Sequence, residues 1–286
     1  MKSLLFTIMA LCASLCTASP LEQQVLSIEQ QISGRIGIAF IDTLDSRVWR
    51  YRGDERFPMM STFKLLACAK LLHDADMGSM NLERGTIIRE QQLVEWSPIT
   101  KKRVGQSITF REACAATMLT SDNTAANIVL TGIGGPKELT TFVRKLGDSY
   151  TRLDRIEPDL NQAIIGDVRD TTTPMAMAHT VQTLLFGDIL TKLDTKQLMH
   201  WMQQNTISAG LLRSVLPHGW SIADRTGAGE NGSRGITAVL WQSERKPIII
   251  VIYLTETDLP LRDRNQIVAT LGRLLFSELA IKAPSN

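Results

Sequence analysis

Four cysteines, four histidines and a net charge of +2 leave little for several common chemistries in a chain of 286 residues. His73, His179, His200 and His218 form no H-x-x-x-H or H-E-x-x-H pattern, and no cysteine pair has a histidine at ligand spacing. Neither a metal centre nor a cofactor is expected. Near-neutral charge, with no basic stripe interleaved with aromatics, removes nucleic acid and anionic membrane surfaces from the expected partners. Past the first residues no segment approaches the ~18–20 consecutive apolar residues of a membrane span. Internal repeats and low-complexity linkers are absent too. What remains is 44% hydrophobic and 21% charged, the balance of a soluble globular protein long enough to bury a sizeable core.

The opening MKSLLFTIMALCASLCTASP combines Lys2, an apolar stretch from Leu4 to Leu15 and small residues around Ala18. It reads as a secretory signal peptide, residues 1–18, cleaved after Ala18. Lipoprotein processing would need a small residue before the modified cysteine, whereas Leu11 and Leu15 precede Cys12 and Cys16. The mature domain, 19–286, is therefore expected to be soluble, periplasmic and free of the membrane. Cleavage leaves Cys68 and Cys114 in an oxidising compartment, where a disulfide is the natural pairing. Two buried thiols are the alternative, since both sit in helical stretches.

RIGIAFIDT and RVWRYRG read as a β-hairpin turning at Leu44–Ser46, and WSIADRTGAG, GITAVLWQ and PIIIVIYLT as three later strands. Between them the pattern predicts helices over 61–78, 110–118, 124–131, 136–145, 174–186 and 195–203, with terminal amphipathic helices over 25–32 and 265–279. The expected fold is α+β, an α/β/α sandwich. Strands from both chain ends (about 19–60 and 205–286) form one antiparallel sheet. A helical subdomain spans about 61–204, and an active site lies in the crevice between the two.

FPMMSTFKLLACAKLL, residues 57–72, places Lys64 in an apolar run where an ammonium needs compensation. Ser61 lies one helical turn earlier on the same face, and a desolvated lysine with a lowered pKa can take a serine proton. The alternative is a helix-capping serine with a snorkelling lysine. A second S-x-x-K match, Ser243 to Lys246, reads as a turn. TSDNTAAN (120–127) reads equally as a cap and turn around Asp122 and Asn123. LDRIEPDLN (153–161) holds Glu157 in a loop, and ADRTGAG (223–229) ends a strand with a cation, a hydroxyl and two glycines.

Together, Ser61 to Lys64, Ser121 to Asn123, Glu157 to Asn161 and Arg225 to Gly227 resemble, in order and separation, the S-x-x-K, S-D-N, E-x-x-L-N and K-[ST]-G motifs of class A serine β-lactamases. The resemblance covers nearly the whole mature chain. Arg225 replaces the usual lysine, a variant similar to the carbenicillin-hydrolysing penicillinase branch.

The resemblance implies a monomeric enzyme that opens the β-lactam ring of penicillins, carboxypenicillins included, through an acyl-serine. Ser61 would be the nucleophile, and the backbone N–H groups of Ser61 and Ala228 the oxyanion hole. Lys64, or Glu157 through a water, would take the Ser61 proton, and Ser121 would pass one to the lactam nitrogen. Glu157 and Asn161 would hold the deacylating water. Asn123, Thr226, Gly227, Arg225, Arg234 and the aromatic wall Trp96 would bind substrate, while Arg155 and Asp170 would form a structural clasp. The Arg225 fork could meet the second carboxylate of a carboxypenicillin, directly or by displacing a neighbour. A penicillin-binding DD-peptidase or a non-hydrolysing β-lactam sensor shares Ser61, Lys64 and Ser121 but lacks the Glu157–Asn161 water site.

Overall fold

The structure, a computed structural model, describes residues 19–243 and 245–281. The expected leader, residues 1–18, lies outside the described residues. The chain enters through α1 (Pro20–Ile32), β1 (Arg35–Asp42) and β2 (Arg47–Tyr51), then passes through the short β3 (Phe57–Pro58) into α2 (Phe63–Asp76). The paired β4 (Gly85–Ile87) and β5 (Ser107–Thr109) precede α3 (Phe110–Thr120), α4 (Asn123–Gly132) and α5 (Pro136–Lys145). After β6 (Thr171–Thr172), which pairs with β3, come α6 (Pro174–Phe186) and α7 (Lys192–Gln203). The chain then returns as β7 (Ser221–Ala228), β8 (Arg234–Gln242) and β9 (Arg245–Thr255) and closes with α8 (Leu261–Glu278).

Five strands from the two chain ends form one sheet in the order β2-β1-β9-β8-β7, antiparallel throughout. The unbroken apolar run of β9 follows from its central place, because both of its faces are covered. Ile248, Ile250, Ile252 and Leu254 join Ile36, Ile38 and Phe40 in a core closed by α1 and α8. Ile249, Val251 and Tyr253 join Ala39 and Ile41 in the larger core that contains the helical middle. The α+β sandwich expected from sequence is thus the observed fold. Its centre on the helical side is α2, buried from Phe63 to Leu72 and packed by α3, α4, α5 and α7. A helix apolar on every side belongs in such a position. α6 lies against β1 and β9.

Several boundaries differ from those the sequence suggests. α1, α7 and α8 begin at Pro20, Lys192 and Leu261 rather than at 25, 195 and 265. The first turns of α7 and α8 expose their leucines, Leu193 and Leu261, whereas α1 already buries Leu21 four residues before Val25; Ser19 and Thr191 start α1 and α7 by accepting hydrogen bonds from the Glu22 and Asp194 amides. Cys68 and Cys114 form a disulfide with a Cα–Cα separation of 5.7 Å, tying α2 to α3.

Candidate active site

Ser61 lies in a 3-10 turn, Met60–Thr62, that leads into α2, and its side chain makes no cap hydrogen bond. The preceding Met60 has φ of +49°, a left-handed conformation that methionine adopts at some strain. A Cβ added at Gly227 would sit 2.9 Å from the Ser61 nitrogen and 2.8 Å from the Met60 Cβ. The end of β7 therefore passes against the Ser61 turn at a distance that only glycine permits. This contact sets the neighbouring residue, Ala228, beside the same turn.

One helical turn on, Lys64 is 1% exposed and fully engaged. Its Nζ lies 2.9 Å from Glu157 Oε1 and donates to Asn123 Oδ1 at 2.6 Å, Ser121 O at 3.0 Å and Ser121 Oγ at 3.1 Å. Burial pulls its pKa down to about 8, against the opposing pull of the Glu157 charge, with Arg225 pushing further down. Ser61 Oγ donates to the same Glu157 oxygen at 3.4 Å. Serine, lysine and glutamate thus form a continuous path along which a proton can pass.

Ser121 enters this path from the junction of α3 and α4, with φ of +63°. Its hydroxyl oxygen accepts from both Lys64 Nζ and an Arg225 terminal nitrogen. With both lone pairs filled, its single proton is available to donate elsewhere. The adjacent Asp122 caps α4 through the Ala125 amide and also accepts from the amides of Ile99 and Thr100, so the loop carrying Trp96 is tied to the same corner. Asn123 completes that tie, its amide group donating to Glu95 O. Trp96 is 58% exposed, with its indole nitrogen bonded to Thr120 O, and forms a rim rather than core.

Glu157 is presented by the loop 155–170. The Arg155 Nε meets Asp170 Oδ2 at 2.5 Å, and Asp170 Oδ1 accepts from the amides of Asp154 and Arg155. Asn127, to which the sequence assigned no role, holds Glu157 by its backbone. Its side chain donates to Glu157 O and accepts from Glu157 N, both at 2.9 Å. The Glu157–Pro158 bond is cis. Asn161 Nδ2 donates to Glu157 Oε2, while its Oδ1 is buried with no partner among the described residues. A buried acceptor of this kind is normally satisfied by a water or a ligand group.

The fork of Arg225 is not open. The residue is 0% exposed, its Nε donating to Ser61 O at 3.2 Å, one terminal nitrogen to Met118 O at 3.3 Å and the other to Ser121 Oγ. The planar group that sequence suggested could meet a ligand directly is thus engaged in joining β7, the Ser61 turn and α3. Burial lowers its pKa to about 10. Arg234 on β8 donates to Gly227 O at 2.7 Å and to Asn265 Oδ1 at 2.8 Å, and Arg264 donates to Ser233 O. Burial first and the Arg225 charge second lower the Arg234 pKa to about 10. Between the two strand arginines, Thr226 Oγ1 is buried with no partner among the described residues. A cationic strip with an unpaired hydroxyl suits a carboxylate. Among the described residues no cluster of His, Cys, Asp and Glu could hold a metal ion.

The profile of the family described as the Beta-lactamase enzyme family matches residues 20–279. Two β-lactamases of Pseudomonas aeruginosa, CARB-3 and PSE-4, are 52% and 51% identical to the chain over 255 residues, which is 89% of this chain and 88% of each of theirs. The crystal structure of the chromosome-encoded β-lactamase of Vibrio parahaemolyticus superposes with a TM-score of 0.90 at 52% identity, covering 91% of this chain and 98% of that one. A reconstructed class A β-lactamase of the last common ancestor of Gram-negative bacteria gives 0.90 at 45% identity over 91% and 100%.

Proposed function

The chain belongs to the β-lactamase enzyme family, in its class A branch, and from that premise we propose how its residues divide the hydrolysis of penicillins. Ser61 Oγ attacks the lactam carbonyl carbon. Its proton leaves to the Lys64 amine, or through a water to the Glu157 carboxylate. The carbonyl oxygen, now negative, rests on the N–H groups of Ser61 and Ala228. As the C–N bond breaks, the proton of Ser121 passes to the departing nitrogen and Lys64 restores it. A water held by Glu157 and Asn161 gives up a proton to Glu157 and attacks the acyl carbon, and as the acyl–oxygen bond breaks that proton returns to Ser61 Oγ, directly or through Lys64, restoring the serine hydroxyl and the carboxylate.

The observation that carries this reading is the buried Lys64 ammonium between Glu157 at 2.9 Å and Ser121 Oγ at 3.1 Å, with Ser61 Oγ on the same carboxylate. Thr226, Arg234 and the field of Arg225 receive the substrate carboxylate, Asn123 its side-chain amide, and Trp96 walls the entrance. Carboxypenicillins are included, because the cationic strip tolerates a second carboxylate, and the similarity to CARB-3 and PSE-4 fits this. Arg155 and Asp170 act structurally by holding the Glu157 loop. The enzyme works as a monomer in the periplasm after loss of residues 1–18, with its site between a sheet part (about 19–60 and 205–286) and a helical part (about 61–204). A non-hydrolysing sensor or DD-peptidase is disfavoured by the Glu157–Asn161 pair beside Ser61.

Ser61→Ala tests the assignment. It should fold, lose penicillin turnover and show no penicilloyl adduct by intact-mass measurement. A stoichiometric adduct on that variant would place the nucleophile elsewhere.

A further inference from the structure

Where α5 meets the segment leading into the Glu157 loop, a cavity of about 550 Å³ is lined by Arg56, Lys137, Arg144 and Arg152 with a single carboxylate, Asp154. Asp154 links the cavity wall to the clasp of the Glu157 loop, its amide donating to Asp170; the other lining residues lie outside the Ser61 site. Four cations against one anion give +3 at one concavity, more than the +2 of the whole chain.

Much of the hydrogen-bonding capacity of these cations is unused. The Lys137 ammonium makes no hydrogen bond or ion pair among the described residues, while its backbone oxygen accepts from the Thr141 hydroxyl at 3.0 Å. Arg56 donates through one terminal nitrogen, to Tyr150 O and Thr171 Oγ1. Arg144 also uses one terminal nitrogen, for Asp148 O and Thr151 O, with the Asp148 carboxylate 4.0 Å away. Asp148 itself is occupied by the amides of Tyr150 and Thr151 and by the Thr180 hydroxyl. Only Arg152 has a close carboxylate partner in the cavity, Asp154, which takes its Nε and one terminal nitrogen. The fixed carbonyl bonds of Arg56 and Arg144 hold both guanidinium groups at the wall, so their remaining donors need little ordering to meet a ligand.

We propose that this cavity is a binding site for a small multivalent oxyanion of the phosphate or pyrophosphate class. Like charges gathered at one concavity repel, and a multivalent anion relieves that repulsion while satisfying free N–H donors with charge-assisted bonds. A monovalent ion leaves most of the charge uncompensated. The Ser149 hydroxyl at the same wall adds a neutral donor.

Titration calorimetry of the mature protein with inorganic pyrophosphate, at constant ionic strength set with sodium chloride, tests the proposal. The parent should bind one equivalent saturably. Lys137→Glu reverses an exposed, unpartnered cation and should weaken binding by about tenfold or more. Lys192→Glu on α7 makes the same change in net charge outside the cavity and should bind as the parent does. No saturable binding by the parent, or equal weakening in both variants, overturns the site and leaves only a general charge effect.

Discussion

Replacing Glu157 by glutamine keeps the shape of the side chain and removes its ability to take a proton. In the structure that carboxylate meets Lys64 Nζ at 2.9 Å, Ser61 Oγ at 3.4 Å and Asn161 Nδ2, and among the described residues it is the only acid that joins both Ser61 and Lys64. Deacylation should therefore lose what a positioned general base supplies, about 10²–10⁴-fold, or roughly 3–5 kcal/mol of barrier. Acylation should survive through Lys64. Burial lowers the lysine pKa to about 8 against the opposing pull of the Glu157 charge, which brings the neutral amine within reach of neutral pH. Without the carboxylate, burial and the Arg225 charge outweigh the smaller opposing pull of Asp122 and the pKa falls further. The neutral, proton-accepting form then dominates at lower pH. Rapid quench of Glu157→Gln with benzylpenicillin, followed by intact-mass measurement across pH 5–9, should show a persistent stoichiometric adduct. Its formation rate should rise with pH and level off below pH 8. Steady-state turnover near that of the parent would refute Glu157 as the deacylation base. Failure to form any adduct would refute Lys64 as a sufficient acylation base.

Arg225→Lys keeps one charge but cannot reach Ser61 O, Met118 O and Ser121 Oγ together, so buried carbonyls lose donors at about 1–3 kcal/mol of stability, read by denaturant unfolding. Benzylpenicillin hydrolysis should persist with the carbenicillin to benzylpenicillin ratio of kcat/KM unchanged, because the buried fork supplies charge alone; a fall in that ratio would mean that the fork leaves its partners to meet the second carboxylate. Denatured, unreduced mature protein should titrate no free thiol, and replacing both Cys68 and Cys114 by serine should cost up to about 4 kcal/mol for a loop of this length, measured by urea unfolding with and without reductant. Arg155→Ala leaves Asp170 buried opposite no cation, a loss of about 3–5 kcal/mol if the loop stays closed. Faster proteolysis within 155–170 with acylation retained is the expected sign that the loop opens instead.

What the sequence determined by itself is the chemistry that must be local and the pattern that must be periodic. A serine and a lysine one turn apart, a serine at a helix junction and a glutamate four residues before an asparagine are short-range spacings. The β-rich runs near the start and the end of the chain likewise announced one antiparallel sheet drawn from both chain ends. Helix starts were less legible because single side-chain caps, Ser19 and Thr191, set where α1 and α7 begin, and α8 begins directly after Pro260 with a mostly charged first turn.

Tertiary structure alone decided how distant segments hold those groups. Asn127 clamps the Glu157 backbone from 30 residues away, and Arg225 reaches Ser121 and Ser61 across 104 and 164 residues. In sequence Asn127 is one more polar residue on a helix and Arg225 an open cation at a strand end. Their roles arise from burial: folding removes water from around them and leaves each donor and acceptor only the partners that the packed elements supply. The same removal of water lowers the pKa of Lys64 toward the range where it can exchange a proton, a consequence of the three-dimensional packing around the lysine rather than of its neighbours in the chain.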